Sequence, residues 1–291
     1  MPNLRINGHD LYYEIHGPKN GTADSAANSA ANSTANSTAS GQREQALCMG
    51  GWGTYCHGGD RHLARGLTDR YQVLIIDYRG IGASTDDPGQ PPGMGLHAAD
   101  VIGLLDHLQW SRVHFVGLVG MGACIAQLVA IERPDLVRSM VNMGAWASVD
   151  PFLYGQLEMF RDIHRDSGFL AFQKHVCLMS FLPDYYNANR DRLLGPQGPW
   201  SELNGRYPAH ERLVAACLNH DVADRLRHIS APSLIIHSGQ DQVTGPRTTL
   251  PLEHGIPQAE GVLLPDVAHV LAGREQKAAF AKLLLSFLER H

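Results

Sequence analysis

Phe115-Val116-Gly117-Leu118-Val119-Gly120-Met121-Gly122-Ala123 joins an apolar run, Val113-His-Phe-Val, to a stretch from Cys124 to Ile131 in which apolar residues recur at three and four. Glycine lets the backbone turn sharply between the two, so the segment reads as a strand, a tight elbow and a helix. No residue of the elbow carries a hydroxyl, a thiol or a carboxyl group.

Outward from the elbow the same rhythm repeats. Leu11-Tyr-Tyr-Glu-Ile, Ala46-Leu-Cys-Met, Gln72-Val-Leu-Ile-Ile, Met140-Val-Asn-Met and Ser233-Leu-Ile-Ile are short, apolar and bounded by Gly or Pro, as buried strands are. Amphipathic stretches at His97 to Gln109 and Gln276 to Leu288 lie between or after them. Strand followed by helix, repeated, predicts an α/β fold with a mainly parallel sheet and helices on both faces. The loops at the strand carboxyl ends are then the place for a site.

Two segments break the rhythm. Residues 21–44 are mostly Ala, Asn, Ser and Thr, with a near-repeat of Asn-Ser and no large apolar anchor; they read as a flexible low-complexity surface loop. The Asn-Ser-Thr triplets at Asn32 and Asn36 fit a glycosylation pattern, but no secretion signal accompanies them. Residues 150–227 hold helical pieces at Gly155 to Arg165, Ala171 to Ser180 and Pro208 to Leu218, with many aromatics and the run Gly195-Pro-Gln-Gly-Pro-Trp200. This segment reads as a helical cap inserted into a core made of 1–149 and 228–291. Its aromatics, with Trp146 just before them, are candidates either for a pocket lining or for simple core packing.

Composition narrows the partners. A chain of 291 residues, 44% apolar, can bury a large core, and a net charge of -5 supplies no field for nucleic acid or an anionic membrane. A small molecule is the expected partner, with a homodimer as an open alternative. Five scattered cysteines without a Cys-x-x-Cys pair argue for reduced thiols, and the absence of a signal-like or spanning segment points to a cytoplasmic protein. Neither a zinc-binding spacing nor a Gly-x-Gly-x-x-Gly between strand and helix occurs, so no metal and no cofactor is expected.

Four further patterns each follow a strand. They are Met49-Gly-Gly-Trp-Gly53, Asp77-Tyr-Arg-Gly-Ile-Gly-Ala-Ser84, Ser238-Gly-Gln-Asp241 and Pro265-Asp-Val-Ala-His269. Together with the elbow they resemble the α/β-hydrolase superfamily over nearly the whole chain. The resemblance implies an eight-stranded sheet, a cap, an oxyanion hole and a Ser-Asp-His triad in that order. Carried onto this sequence, Asp241 corresponds to the acid, His269 to the base, and the amides of Trp52 and Met121 to the oxyanion hole.

The serine is missing. Counted from the strand, Val119 falls at the nucleophile position; counted back from Met121-Gly122 and the helix, Gly120 does. Positive φ at such an elbow costs a β-branched residue heavily and glycine little, which favours Gly120. What remains is a histidine oriented by a carboxylate, able to take a proton from water or substrate beside backbone donors, on a substrate that is already labile. In this the chain is most similar to the aminoacrylate hydrolase group of bacterial pyrimidine catabolism. The enol-lactonases of aromatic degradation are also similar but keep the serine. Two alternatives stand beside this reading. The elbow also resembles that of the N-myc downstream-regulated proteins, which implies a noncatalytic ligand-binding protein. A relocated nucleophile at Cys124, one helical turn past Gly120, is the other. Ser84 reads as part of a turn.

Overall fold

The computed structural model describes residues 3–18, 43–52 and 63–291. The low-complexity segment therefore lies outside the described residues except for Arg43 and Glu44, and so do Asn32, Asn36, Thr54 and Cys56. One eight-stranded sheet organises the rest. In chain order its strands are β1 (Asn3–Ile6), β2 (His9–His16), β3 (Gln45–Met49), β4 (Gln72–Ile76), β5 (Val113–Gly117), β6 (Val137–Met143), β7 (Ser233–Ser238) and β8 (Ala259–Leu264). Their spatial order is β1-β2-β4-β3-β5-β6-β7-β8. Strand β2 runs antiparallel to both its neighbours, and every other pair is parallel.

Every residue of β3, β4, β5 and β7 is buried, which is why these strands read as unbroken apolar runs. Alternate side chains feed opposite faces of the sheet. Leu47, Leu74, Phe115, Met140 and Ile235 pack on one side with α2 (Met94–Leu108) and α3 (Met121–Glu132). Ala46, Ile75, Val116, Val141 and Ile236 pack on the other with Phe280, Leu284 and Phe287 of α9 (Gly273–Leu288). The short α1 (Leu67–Arg70) and α8 (Gly245–Gly255) complete the layers. Helix α3 is buried from Met121 to Ala130, as expected of a helix that is apolar all round. The edge strands β1 and β8 alternate between exposed and half-buried positions. Neither presents the apolar run by which the inner strands announce themselves.

Between β6 and β7 the chain forms α4 (Pro151–Ser167), α5 (Phe169–Ser180), α6 (Pro183–Leu193) and α7 (Tyr207–Leu218). Asp150 starts α4, its carboxylate accepting from the Leu153 N–H at 2.8 Å while Pro151 fills the first helical position. The expected helical pieces fall within α4, α5 and α7. Helix α6 buries only Tyr186 and Leu193 and so shows little apolar periodicity. Side chains tie these helices to the sheet's loops: Arg206 donates to Gly80 O at 3.1 Å, Arg212 to Asp86 at 2.6 Å, and Gln156 to Gln242 O at 2.8 Å. Among the described residues no helix is long and apolar enough to cross a membrane.

The Asp77–Ser84 motif braces the loop side of the sheet. Arg79 makes a bidentate pair with Asp100, Nε to Oδ2 at 2.6 Å and Nη2 to Oδ1 at 2.8 Å, both side chains being buried. Burial opposes the charge on Asp100, but hydrogen bonds from His9, Arg79 and Asn7 hold its carboxyl below the usual range. Ser84 Oγ donates to Asp77 O and accepts from Tyr12 N, at 2.8 and 2.9 Å, a bracing position rather than an open one. Tyr78 Oη donates to Gly50 O at 2.7 Å and so fixes the loop after β3. Removing one partner of a buried pair strands the other charge. Arg79→Ala should therefore lower the unfolding free energy in urea by about 3–5 kcal/mol; a change within ~0.5 kcal/mol, the usual size for surface substitutions, would contradict this role.

Candidate functional site

At the elbow both Val119 and Gly120 have positive φ, +55° and +85°. The cost of positive φ to a β-branched residue, the ground for favouring Gly120, is met here at Val119 as well. Val119 is a β-branched residue held in a region that such residues rarely enter. Helix α3 springs from Gly120, whose carbonyl accepts from the N–H groups of Ala123 and Cys124 at 3.0 and 3.1 Å, while its own N–H donates to Met143 O at 3.3 Å. A Cβ at position 120 would lie 2.8 Å from Cζ3 of Trp146 and 3.2 Å from Gly144 O. The glycine therefore serves two constraints, the positive φ and the close approach of the indole. The space where a side chain would begin is filled by the benzo edge of Trp146.

Two loops from the far half of the sheet meet this turn. Asp241 lies between β7 and α8, and His269 follows β8. The imidazole Nδ1–H donates to Asp241 Oδ2 at 2.9 Å. Asp241 also receives Thr244 Oγ1 at 2.7 Å on Oδ2, and the backbone N–H groups of Val243 and Thr244 at 2.8 and 2.9 Å on Oδ1. Burial by itself would raise this carboxyl's pKa. The neighbouring imidazole and the converging donors outweigh it and hold the group well below the ordinary carboxylate range. The ring of His269 reaches the elbow: a Cβ on Gly144 would be 3.3 Å from His269 Cε1 and 3.4 Å from Gly120 N.

His269, Gly120, Met121 and Trp52 line one cavity of about 40 Å³, more than the roughly 10–15 Å³ that one water needs. Trp146, Phe160 and Trp200 supply aromatic wall, and Leu153, Leu157 and Val176 aliphatic wall. Of the other aromatics expected there, Phe152 and Tyr154 are exposed, and Tyr207 packs against His164 instead. The N–H groups of Met121 and Trp52 are bonded to no acceptor among the described residues; at Met121 this is the usual state of a helix's first turn. The indole of Trp52 is tied away from that amide, donating from Nε1 to Cys217 Sγ at 3.4 Å and packing edge-on against His210.

Cys124 is not among the cavity's lining residues. It is fully buried, its Sγ lies 3.6 Å from Trp146 O, and burial pushes its pKa well above that of a free thiol. Thr244 and Ser180 belong to the cavity wall although neither was named as a site residue from the sequence. For Thr244, its place three residues after Asp241 was the available signal. For Ser180 it was the run Ser180-Phe-Leu-Pro-Asp-Tyr185, similar to the aminoacrylate hydrolase group but with no role attached to the serine. Among the described residues no group of three or more His, Cys, Asp or Glu could hold a metal ion.

Comparison with known proteins agrees with this architecture. Residues 47–273 match the family model described as the alpha/beta hydrolase fold, and the chain belongs to that family. A protein of Azorhizobium caulinodans named "Putative carbamate hydrolase RutD" is 26% identical over 290 residues, covering 99% of this chain and 98% of its own. A protein of the same name from Agrobacterium fabrum is 26% identical over 223 residues, 76% of this chain and 84% of its own. Among solved structures, the enol-lactonase from Burkholderia xenovorans LB400 superposes with a TM-score of 0.79 at 21% identity, covering 99% of each chain.

Two outcomes follow from the geometry. Because the indole fills the space beside Gly120, Gly120→Ser should destabilise the protein by about 1–3 kcal/mol in urea denaturation; unchanged stability would mean that the indole yields freely. Asp241 has a depressed folded-state pKa, so its contribution is present above the ordinary carboxylate pKa and disappears as pH falls through the lowered value. The stability deficit of Asp241→Asn should therefore be largest near neutral pH and narrow below about pH 4. A deficit that widens on acidification would contradict this assignment.

Proposed function

We propose that this protein is a small-molecule hydrolase or lyase that works without a nucleophilic side chain at its elbow. The observation that carries the reading is the pair His269–Asp241, bonded at 2.9 Å, whose His269 lines the same cavity as Met121 and Trp52, beside a Gly120 that has no side chain. With Nδ1 committed to the carboxylate, Nε2 is the nitrogen left to take a proton from water or from the substrate. The amides of Met121 and Trp52 are the candidate donors for the oxygen on which charge develops. Residues 150–227 act as a cap over this site.

General-base help is worth about 10²–10⁴-fold in rate, and oriented donors add a few kcal/mol of transition-state stabilisation. Without a covalent step this suffices for a substrate that is already reactive. An enamine, a carbamate, an enol-lactone or an activated ester fits that requirement; a plain amide does not. The names of the relatives, a carbamate hydrolase and an enol-lactonase, lie within the same range of labile substrates. The depth at which Cys124 is buried gives a thiol nucleophile no support.

The test is a panel of small carbamates, enol-lactones, enamines and p-nitrophenyl acetate, assayed with the wild type, His269→Ala and Asp241→Asn. His269→Ala should lower kcat by about 10²–10⁴-fold on whichever substrate is turned over, with a smaller change in KM. Equal rates for wild type and His269→Ala on every substrate would favour a noncatalytic ligand-binding protein.

A further inference from the structure

The amides of Met121 and Trp52 and His269 Nε2 have been given their roles above, and most of the other polar atoms of the cavity wall are committed. His269 Nδ1 and Thr244 Oγ1 both donate to Asp241 Oδ2, and Cys217 Sγ accepts from the Trp52 indole. Ser180 is the exception. It is the last residue of α5, is fully buried and lines the same cavity, yet its Oγ is bonded to no group among the described residues. A serine near a helix end ordinarily returns its hydroxyl to a backbone carbonyl of the preceding turn. Here that bond is not made, and a buried hydroxyl left unpaired destabilises the folded chain.

Its place is nevertheless fixed. Ser180 O accepts from the N–H of Val270 at 3.0 Å, so the end of α5 is latched to the residue next to His269. The backbone at Ser180 is thereby tied to the loop that carries the base. Trp146 Nε1 is also unbonded, but the atoms that this ring sets against Gly120 are Cζ3 and Cη2, which places its nitrogen away from the elbow. The remaining wall is apolar, and the described lining residues include no lysine or arginine.

From this we propose that Ser180 is a specificity-determining residue, its hydroxyl pairing with an uncharged polar group of a small substrate, such as a carbonyl, amide or ether oxygen, while the reacting centre lies at His269. A hydroxyl both donates and accepts, so it suits such a neutral group; a charged group buried in the same apolar wall would lack a counter-ion. The proposal rests on the cavity being the substrate site, the reading given above, and adds to it where the second polar contact falls.

Binding separates this proposal from the catalytic one. Methoxyacetamide and butyramide have the same number of heavy atoms and differ by an ether oxygen in place of a methylene. Their dissociation constants would be measured by ligand-observed NMR for wild type, Ser180→Ala and His269→Ala, alongside thermal melting of each. Wild type and His269→Ala should bind methoxyacetamide more tightly than butyramide by about fivefold, and Ser180→Ala should lose that preference with little change for butyramide. The melting temperature of Ser180→Ala should stay the same or rise, because the substitution removes an unpaired buried hydroxyl. An equal preference in wild type and Ser180→Ala, a large drop in the melting temperature of Ser180→Ala, or no binding of either amide to folded wild type would each overturn the proposal. Catalysis lost or kept in His269→Ala bears only on the general-base reading.

Discussion

The structure depends on how the chain leaves β5. Within three residues it must stop being a central strand and start a fully buried helix, and it does so with two consecutive residues at positive φ, Val119 and Gly120. That turn brings the first amide of α3 to the sheet's carboxyl edge and leaves it without an intrahelical partner. It also brings Gly120 so close to Trp146 that no Cβ fits between them without displacement. A side chain at position 120 and the present seat of the indole exclude each other. The absence of a side chain at position 120 is therefore matched by the packing of β6's exit as well as written in the sequence of the elbow.

The remaining site hangs on the same edge. Asp241 and His269 come from loops after β7 and β8, and the parallel order of β5, β6, β7 and β8 places those loops beside the elbow. Four donors fix the Asp241 carboxylate and one of them, the imidazole, is fixed in return. Residues between β6 and β7 line much of the cavity, and the Val270 N–H donates to Ser180 O, which joins that segment to the histidine loop. Under the proposed function such an arrangement would hold a water or a small substrate in place without a covalent handle, and orientation of that kind lowers part of the barrier.

Much of this was legible in the residues. The inner strands showed as continuous apolar runs because both faces of the sheet are covered; Asp241 showed because it follows one of them at a short interval, and His269 through the Pro265-Asp-Val-Ala-His269 pattern that comes after it. The edge strands Asn3–Ile6 and Ala259–Leu264 did not, since their half-solvated faces dilute the apolar signal. The strain at Val119 was illegible for a different reason. Local preference disfavours positive φ at valine, and such a conformation persists only where the surrounding structure over-determines it. The contact of Trp146 with Gly120 and the unpaired hydroxyl of Ser180 join residues 26 or more apart in sequence, or concern a missing partner; neither leaves a pattern in one chain.

The central claim is that turnover proceeds by direct attack on the substrate, with no residue acylated. Intact-protein mass spectrometry of the wild type, acid-quenched during steady-state hydrolysis of an activated ester, tests it most directly. The account predicts continuing product formation with an unmodified protein mass at every quench time, and the oxygen of labelled water in the acid released. An acyl adduct that appears and decays at the rate of turnover would contradict it and would locate a nucleophile that the elbow does not supply.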